Sequence, residues 1–307
     1  MAMGKIHMLS VLLLFLGLSA FAQPNLVQHK EYESFKTVNV SDKFTVRLRS
    51  APDYSVKITS DERISPYVQA YVKNGTLYLV LDEKNYTPEL KKQLRHKGAA
   101  EPVLEAEVYM PTLSAMVLND KAVLSHCDRF HASTFALTVS DNAKVAQFRL
   151  DCSTAELDFA KSAWASVEVN SSEKLYVYAL NSSDVTLMQN GGVVFVDASG
   201  SSSVKVKGSM AEADVYAANS SEVTMMGTAS VLKVKAAGVS RTDAEQLEAR
   251  EGDIEQTGAS KCYVNVTDHL KVSLTGGSML TFKRKPAIEV DRIVGSTLIK
   301  ADDPKRK

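Results

Sequence analysis

Six residues in the second half of the chain carry side chains suited to recognition or chemistry: Tyr176, Tyr178, Phe195, Asp197, Asp214 and Tyr216. Aromatic faces suit sugars and protein partners, and an exposed cluster of them marks an interaction site, whereas a cluster covered by the N-terminal segment or by a helix over 87–98 serves packing alone. The two carboxylates, if brought within a catalytic separation, could instead cleave a glycosidic bond, one as acid and the other as base or nucleophile. Both readings need these residues to stand side by side, so the elements that position them come first.

Other chemistry-bearing groups are sparse. Ser125 to His131 gathers His126, Cys127 and His131, but the spacing matches no zinc module and reads as polar turn chemistry. Cys127, Cys152 and Cys262 are odd in number, so no disulfide framework is expected and at least one thiol is free. No Ser/His/Asp signature, phosphate-cradling glycine loop or metal-spaced histidine pair occurs, so no cofactor, metal or catalytic residue is assigned. Lys+Arg 36 balances Asp+Glu 36, which argues against a nucleic-acid or polybasic membrane-surface role.

The positioning elements emerge from a repeat. Short polar motifs recur at Asn181-Ser-Ser, Gly200-Ser-Ser, Asn219-Ser-Ser, Gly258-Ala-Ser and Gly276-Gly-Ser. Extended both ways, the anchors are Asn119, Asp141, Lys161, Asn181, Gly200, Asn219, Gly238, Gly258, Gly276 and Gly295, spaced by 18 to 22 residues. Four residues before the anchor stand Leu137, Leu157, Val177, Val196, Val215, Val234, Ile254 and Val272; only Ala115 and Asp291, in the terminal repeats, depart. Apolar residues also recur two before and four after, the period-2 signature of strands with one buried face. Two after the anchor are small residues, among them Ser183, Ser202 and Ser221, with Lys121 the one exception. Glycine and asparagine at the anchor tolerate left-handed backbone, and the small residue suits a corner stacked on its neighbour.

A unit of 19 to 20 residues cannot bury its own apolar face, whereas stacked copies bury a continuous core. The expectation is an all-β, right-handed parallel β-helix, since parallel crossovers favour that hand. Residues five and three before each anchor point outward, which places Tyr176 and Tyr178, Phe195 and Asp197, and Asp214 and Tyr216 on three successive rungs. Seven Asn-x-Ser/Thr triplets, such as those at Asn181 and Asn219, read as turn chemistry if the source is bacterial, a reading that a eukaryotic source would change.

The first half also alternates, through Phe44-Val46-Leu48, Val56-Ile58 and Leu77-Leu79, the last after an Asn74-Gly75 hairpin signal. Near 87–98 a short helical insertion is expected, with Thr87 as cap, Pro88 at the first position, and Leu90 and Leu94 on one face. Residues 1–22 read as a secretory signal: Lys5, an apolar run from Leu9 to Leu18, and Ala20-Phe21-Ala22 before Gln23. No second apolar stretch could span a bilayer as a helix.

Phe35 to Leu48, the Val72-Lys-Asn-Gly-Thr-Leu-Tyr-Leu79 stretch, the Glu107-Val-Tyr-Met-Pro-Thr-Leu113 lead into the repeats, and Ser/Gly turns every 19 to 20 residues together resemble the GIN-domain family. Its members are described as auto-transporter adhesin head domains exported by Gram-negative bacteria. The resemblance runs from about Phe35 to Ile299. It implies a right-handed β-helix with the N-terminal strands joined to the same solenoid, a periplasmic or cell-surface role, and no catalytic residues.

The expected organisation is a signal peptide over 1–22, a linker over 23–34, and a strand-rich segment leading into the solenoid over 35–112. β-helix repeats follow over 113–302 and a basic tail over 303–307. The function expected is that of an exported, non-enzymatic, adhesin-like module meeting an unknown protein or glycan through its outer aromatic face. A polysaccharide-processing enzyme using Asp197 and Asp214, and a purely structural envelope protein, are the alternatives.

Overall fold

Strict alternation of buried apolar and outward polar residues builds the chain into a parallel β-solenoid of about 10 turns, 67% strand with one short helix. The computed structural model describes residues 25–301; the signal sequence and basic tail read at 1–22 and 303–307 lie outside the described residues.

The N-terminal third comprises β1 (Asn25–Glu31), β2 (Thr37–Val40), β3 (Thr45–Ser50), β4 (Ser55–Asp61), β5 (Val68–Lys73), β6 (Thr76–Leu81), α1 (Pro88–Arg95), β7 (Leu104–Met110), β8 (Ala115–Leu118) and β9 (Val123–Cys127). Its rungs do not stack in chain order. β2 lies between β6 and β8, and β3 lies between β7 and β9, all parallel. The chain thus lays the second rung first, goes outward to make the end rung from β6 and β7, and returns to the far side of the second rung for the third. Antiparallel strands close that end: β4 pairs with β7, β1 with β4, and β5 with β6. Residues 25–31, assigned to a linker from sequence, are therefore an edge strand. The β5–β6 hairpin turns at Asn74 and Gly75, both left-handed, as the dipeptide predicts. Thr87 Oγ1 accepts from the Leu90 amide at 3.2 Å, capping α1, and Leu90 is the buried residue that anchors it.

From there the rungs follow chain order through β10 (Phe130–Val139), β11 (Lys144–Phe159), β12 (Trp164–Ala179), β13 (Asp184–Asn190), β14 (Val193–Ala198), β15 (Ser203–Ala217), β16 (Glu222–Ala236), β17 (Arg241–Gln256), β18 (Lys261–Thr275), β19 (Met279–Lys283), β20 (Ala287–Val294) and β21 (Thr297–Lys300). The longer strands bend midway and serve both faces, so each coil contributes to a first sheet and a second sheet. Val177, Val196, Val215 and Val234 stack in register, each at most 2% exposed. Gly208 and Gly227 stack at the bend, where a Cβ on Gly227 would come within 1.8 Å of the Gly208 carbonyl oxygen.

Corners repeat at Asp42, Asp120, Asp141, Lys161, Asn181, Gly200, Asn219, Gly238, Gly258, Gly276 and Gly295, all left-handed with φ between 60° and 77°. The amide following a corner donates to the corner carbonyl of the previous rung, as in Ser162 to Asp141, Ser182 to Lys161 and Ser220 to Gly200, each at 2.8 Å. The ladder thereby continues through the turns and leaves few backbone groups unpaired. Ser183, Ser202, Ser221, Ser240, Ser260 and Ser278 are at most 1% exposed two residues later.

Two departures from the columns now have causes. In the first repeat the corner is Asp120 rather than Asn119. That shift puts Ala122, fully buried, in the small-residue column and Met116 in the core, leaving Lys121 outside. In the last repeat Val272 pairs with Val290 and Ser273 with Arg292, so Asp291 is bulged out of a regular apolar row. Asp42 extends the corner column one rung before the sequence period begins; Lys121 N–H donates to its carbonyl at 2.9 Å.

Candidate functional site

The outer face of the first sheet is set by the same register that fills the core, because side chains on a strand alternate between faces. Pairing runs Glu156 to Tyr176, Tyr176 to Phe195, and Phe195 to Asp214 in one outward column. Asp158 pairs with Tyr178, Tyr178 with Asp197, and Asp197 with Tyr216 in the next. The six residues picked out from sequence therefore sit together on three rungs, β12, β14 and β15. Carboxylates and rings alternate along the second column, while in the first a stacked pair of rings is flanked by a carboxylate on each side. Glu156 and Asp158, on the rung below, join them; the same column rule finds these two once the patch is extended by one coil. Lys233 and Lys235 follow on the rung above.

The rings are arranged for contact. Tyr176 and Phe195 stack with centroids 4.9 Å apart and planes 10° from parallel. Tyr176, Tyr178 and Phe195 are half-buried against their neighbours, and Tyr216 is 45% exposed. α1 lies elsewhere, at the N-terminal end, where Lys91 Nζ donates to the Lys84 carbonyl.

Electrostatics distinguish this face from the rest of the surface. Burial holds Asp158, Asp197 and Asp214 above the usual carboxylate range, with Glu156 adding to the effect at Asp158 and Lys233 opposing it at Asp214. Burial, then the nearby Glu156 and Asp158, likewise raise the Tyr178 phenol. The two lysines above are engaged, Lys233 with Glu212 at 2.6 Å and Lys235 with Glu255 at 3.7 Å. Among the described residues, Glu156, Asp158, Asp197 and Asp214 have no cationic partner within 4.0 Å. On the second sheet several outward acids are paired instead, Glu168 with Arg149, Glu222 with Arg241 and Glu245 with Lys283 across rungs, and Asp243 with Arg241 along one strand.

The other groups flagged by sequence do not converge. Cys127 points into the core, while His126 Nε2 meets Asp128 Oδ1 at 3.0 Å and its Nδ1 meets Gln147 Oε1 at 3.1 Å. His131 is exposed beside Asp151. All three cysteines are free and buried. Among the described residues no group of three His, Cys, Asp or Glu side chains is placed to hold a metal ion, and no helix is long and apolar enough to cross a membrane. Clefts of about 350 and 450 Å³ occur at the N-terminal end, lined by residues such as Tyr32, Tyr71 and Val68 in one and Asp42, Gln69 and Leu81 in the other. Neither contains Asp197 or Asp214, which stand on an open sheet face.

The family profile described as "Putative auto-transporter adhesin, head GIN domain" matches the chain twice, over residues 34–171 and 165–286. No curated protein matches the sequence. Among solved structures, a putative adhesin from Parabacteroides distasonis is similar at 16% identity over 91% of this chain and 98% of that one, with a TM-score of 0.45. A putative adhesin from Parabacteroides merdae is similar at 13% identity, covering 92% and 98%, with a TM-score of 0.42. A protein titled a putative lipid binding protein, also from Parabacteroides distasonis, is similar at 14% identity, covering 91% and 97%, with a TM-score of 0.38.

Proposed function

The chain belongs to the GIN-domain family, and from that membership we propose that it is an exported, non-enzymatic, adhesin-like module that engages a protein or glycan at the cell envelope through the outer face of its first sheet. The observation that carries this reading is the in-register cluster of Tyr176, Tyr178, Phe195 and Tyr216 with Asp197 and Asp214 on adjacent rungs. A rigid parallel sheet holds these side chains at fixed spacing, so a partner meets a preorganised surface and little ordering entropy is lost on binding. Half-buried rings of this kind supply most of the energy in interaction surfaces. The site is open and flat, which suits an extended or macromolecular partner better than a small molecule, whose sites are concave.

The test is an array of glycans and envelope or host proteins probed with wild type and with Tyr178→Ala/Tyr216→Ala. The expected result is at least one hit that weakens about tenfold or more in the variant; hits that are unchanged in the variant refute the assignment of this face. Protease shaving of intact cells addresses location: loss of the protein signal places it outside the outer membrane, and protection places it in the periplasm.

A further inference from the structure

We propose that the partner of this face is a cationic polypeptide segment, which lays arginine side chains across the tyrosine and phenylalanine rings with their guanidinium groups against Glu156, Asp158, Asp197 and Asp214. The inference rests on the interaction-face reading above and narrows it to one chemistry.

Charge complementarity is the argument. Rings alone would serve a neutral sugar or a peptide equally well, but here each ring has a carboxylate for a neighbour on an adjacent rung. Tyr178 stands between Asp158 and Asp197, Asp197 between Tyr178 and Tyr216, and Phe195 between Tyr176 and Asp214. Four carboxylates with no cation within 4.0 Å, beside two lysines that pair with Glu212 and Glu255 and only partly offset Asp214, leave net negative charge on a patch whose rings attract cations through their faces. On the second sheet, by contrast, Glu168, Glu222 and Glu245 each pair with an arginine or lysine on another rung.

The guanidinium group answers both features at once. It is planar and stacks on an aromatic face, it carries a fork of N–H donors that matches a carboxylate, and it is weakly hydrated, so little is lost when it enters a half-buried site. Rungs of a parallel sheet are about 4.8 Å apart, so the distance from Asp158 to Asp197 along their column is about 10 Å. An extended peptide advances about 3.4 Å per residue, so alternate side chains of a four- to five-residue segment span the patch. The partial burial that raises Asp158, Asp197 and Asp214 is itself relieved when a cation supplies the missing charge.

The test uses fluorescence anisotropy with a labelled (Arg-Ser)5 peptide on the full exported chain. Binding is expected to weaken about tenfold or more in Asp158→Asn/Asp197→Asn/Asp214→Asn and to fall with added salt. It should be retained in Glu31→Gln/Glu62→Gln/Glu101→Gln, which removes the same charge from exposed positions elsewhere. Thermal melts of both triple variants establish that each is folded. Equal weakening in the two variants, no binding by wild type, or stronger binding of a chitosan oligosaccharide than of the peptide each overturns the proposal. The parent reading has a separate readout: array hits on neutral ligands that are lost in Tyr178→Ala/Tyr216→Ala keep the face while removing the cationic partner. Hits unaffected by that variant remove the face itself.

Discussion

Tyr176 on one rung and Phe195 on the next stack with ring centroids 4.9 Å apart and an interplanar angle of 10°. Their backbones pair in register, so the solenoid itself fixes the ring spacing. Such a pair contributes about 1 kcal/mol beyond its buried area. A double-mutant cycle on Tyr176→Ala and Phe195→Ala, read by urea denaturation, should give a coupling energy of about 1 kcal/mol. A coupling near zero would mean that the rings pack independently.

Asp197 gives a pH signature. Burial raises its carboxyl above the ordinary range, so this group stabilises the fold only when protonated and costs stability once ionised. The sign is therefore opposite to that of a salt-bridged aspartate: its contribution is fully present below the unfolded value and lost as pH rises through the raised one. Asp197→Asn should melt about 1 °C or more above wild type at pH 7, with the gap closing as the pH falls to about 4. A gap that widens on acidification contradicts the assignment.

At Gly227 a side chain has nowhere to go. A Cβ would lie 1.8 Å from the Gly208 carbonyl oxygen, against backbone that is hydrogen-bonded on both sides. Gly227→Ala should cost about 3 kcal/mol, a fall in melting temperature of about 6 °C or more. Gly75→Ala makes the comparison, since it has a φ of +71° but nothing within 4 Å of the added carbon. Its cost should be about 1 kcal/mol, from backbone strain alone.

The cysteines should be inert in the folded protein. Burial pushes the Cys152 thiol up to about 11 and Cys127 to about 12, and raises Cys262, the most enclosed, as well. Reaction with a thiol reagent at pH 8 should be slow in the native state and give three equivalents in denaturant. Cys152, 9% exposed where the other two are at 0%, should react first. Fast reaction of Cys262 would contradict its burial.

The repeat made the solenoid, its corners and the outward columns legible, because one rule, alternation about a left-handed corner, generates all three. Where the frame slipped, chemistry local to the corner could have corrected it. Asn119 and Asp120 both tolerate the left-handed region, but only Asp120 leaves a small residue, Ala122, at the buried position. Asp291 could not have been placed the same way, since a bulge shifts register without marking the sequence. Nor does the sequence announce that Asp42 belongs to the corner column. The next corner is 78 residues away, across β4 to β7 and α1, and no period survives that gap. β1 was lost because all its residues are exposed, so no alternation toward a core distinguishes it from a linker. At the candidate site the residues were readable from their columns; the partial burial of the carboxylates, which depends on how neighbouring rings lean, was not.

The out-of-order stacking at the N-terminal end also sets a schedule. β2 and β3 wait for β6 and β7 on one side and for β8 and β9 on the other, so the first rung in the chain has no finished neighbour until about residue 110 is in place. Until then the chain must close loops of long sequence separation for little gain, the situation in which nucleation is slow. Beyond that point each new coil docks on one already folded, and growth becomes local, about 20 residues at a time. A protein built this way stays loose through its first third and then solidifies, rung upon rung, in the order its sequence is written.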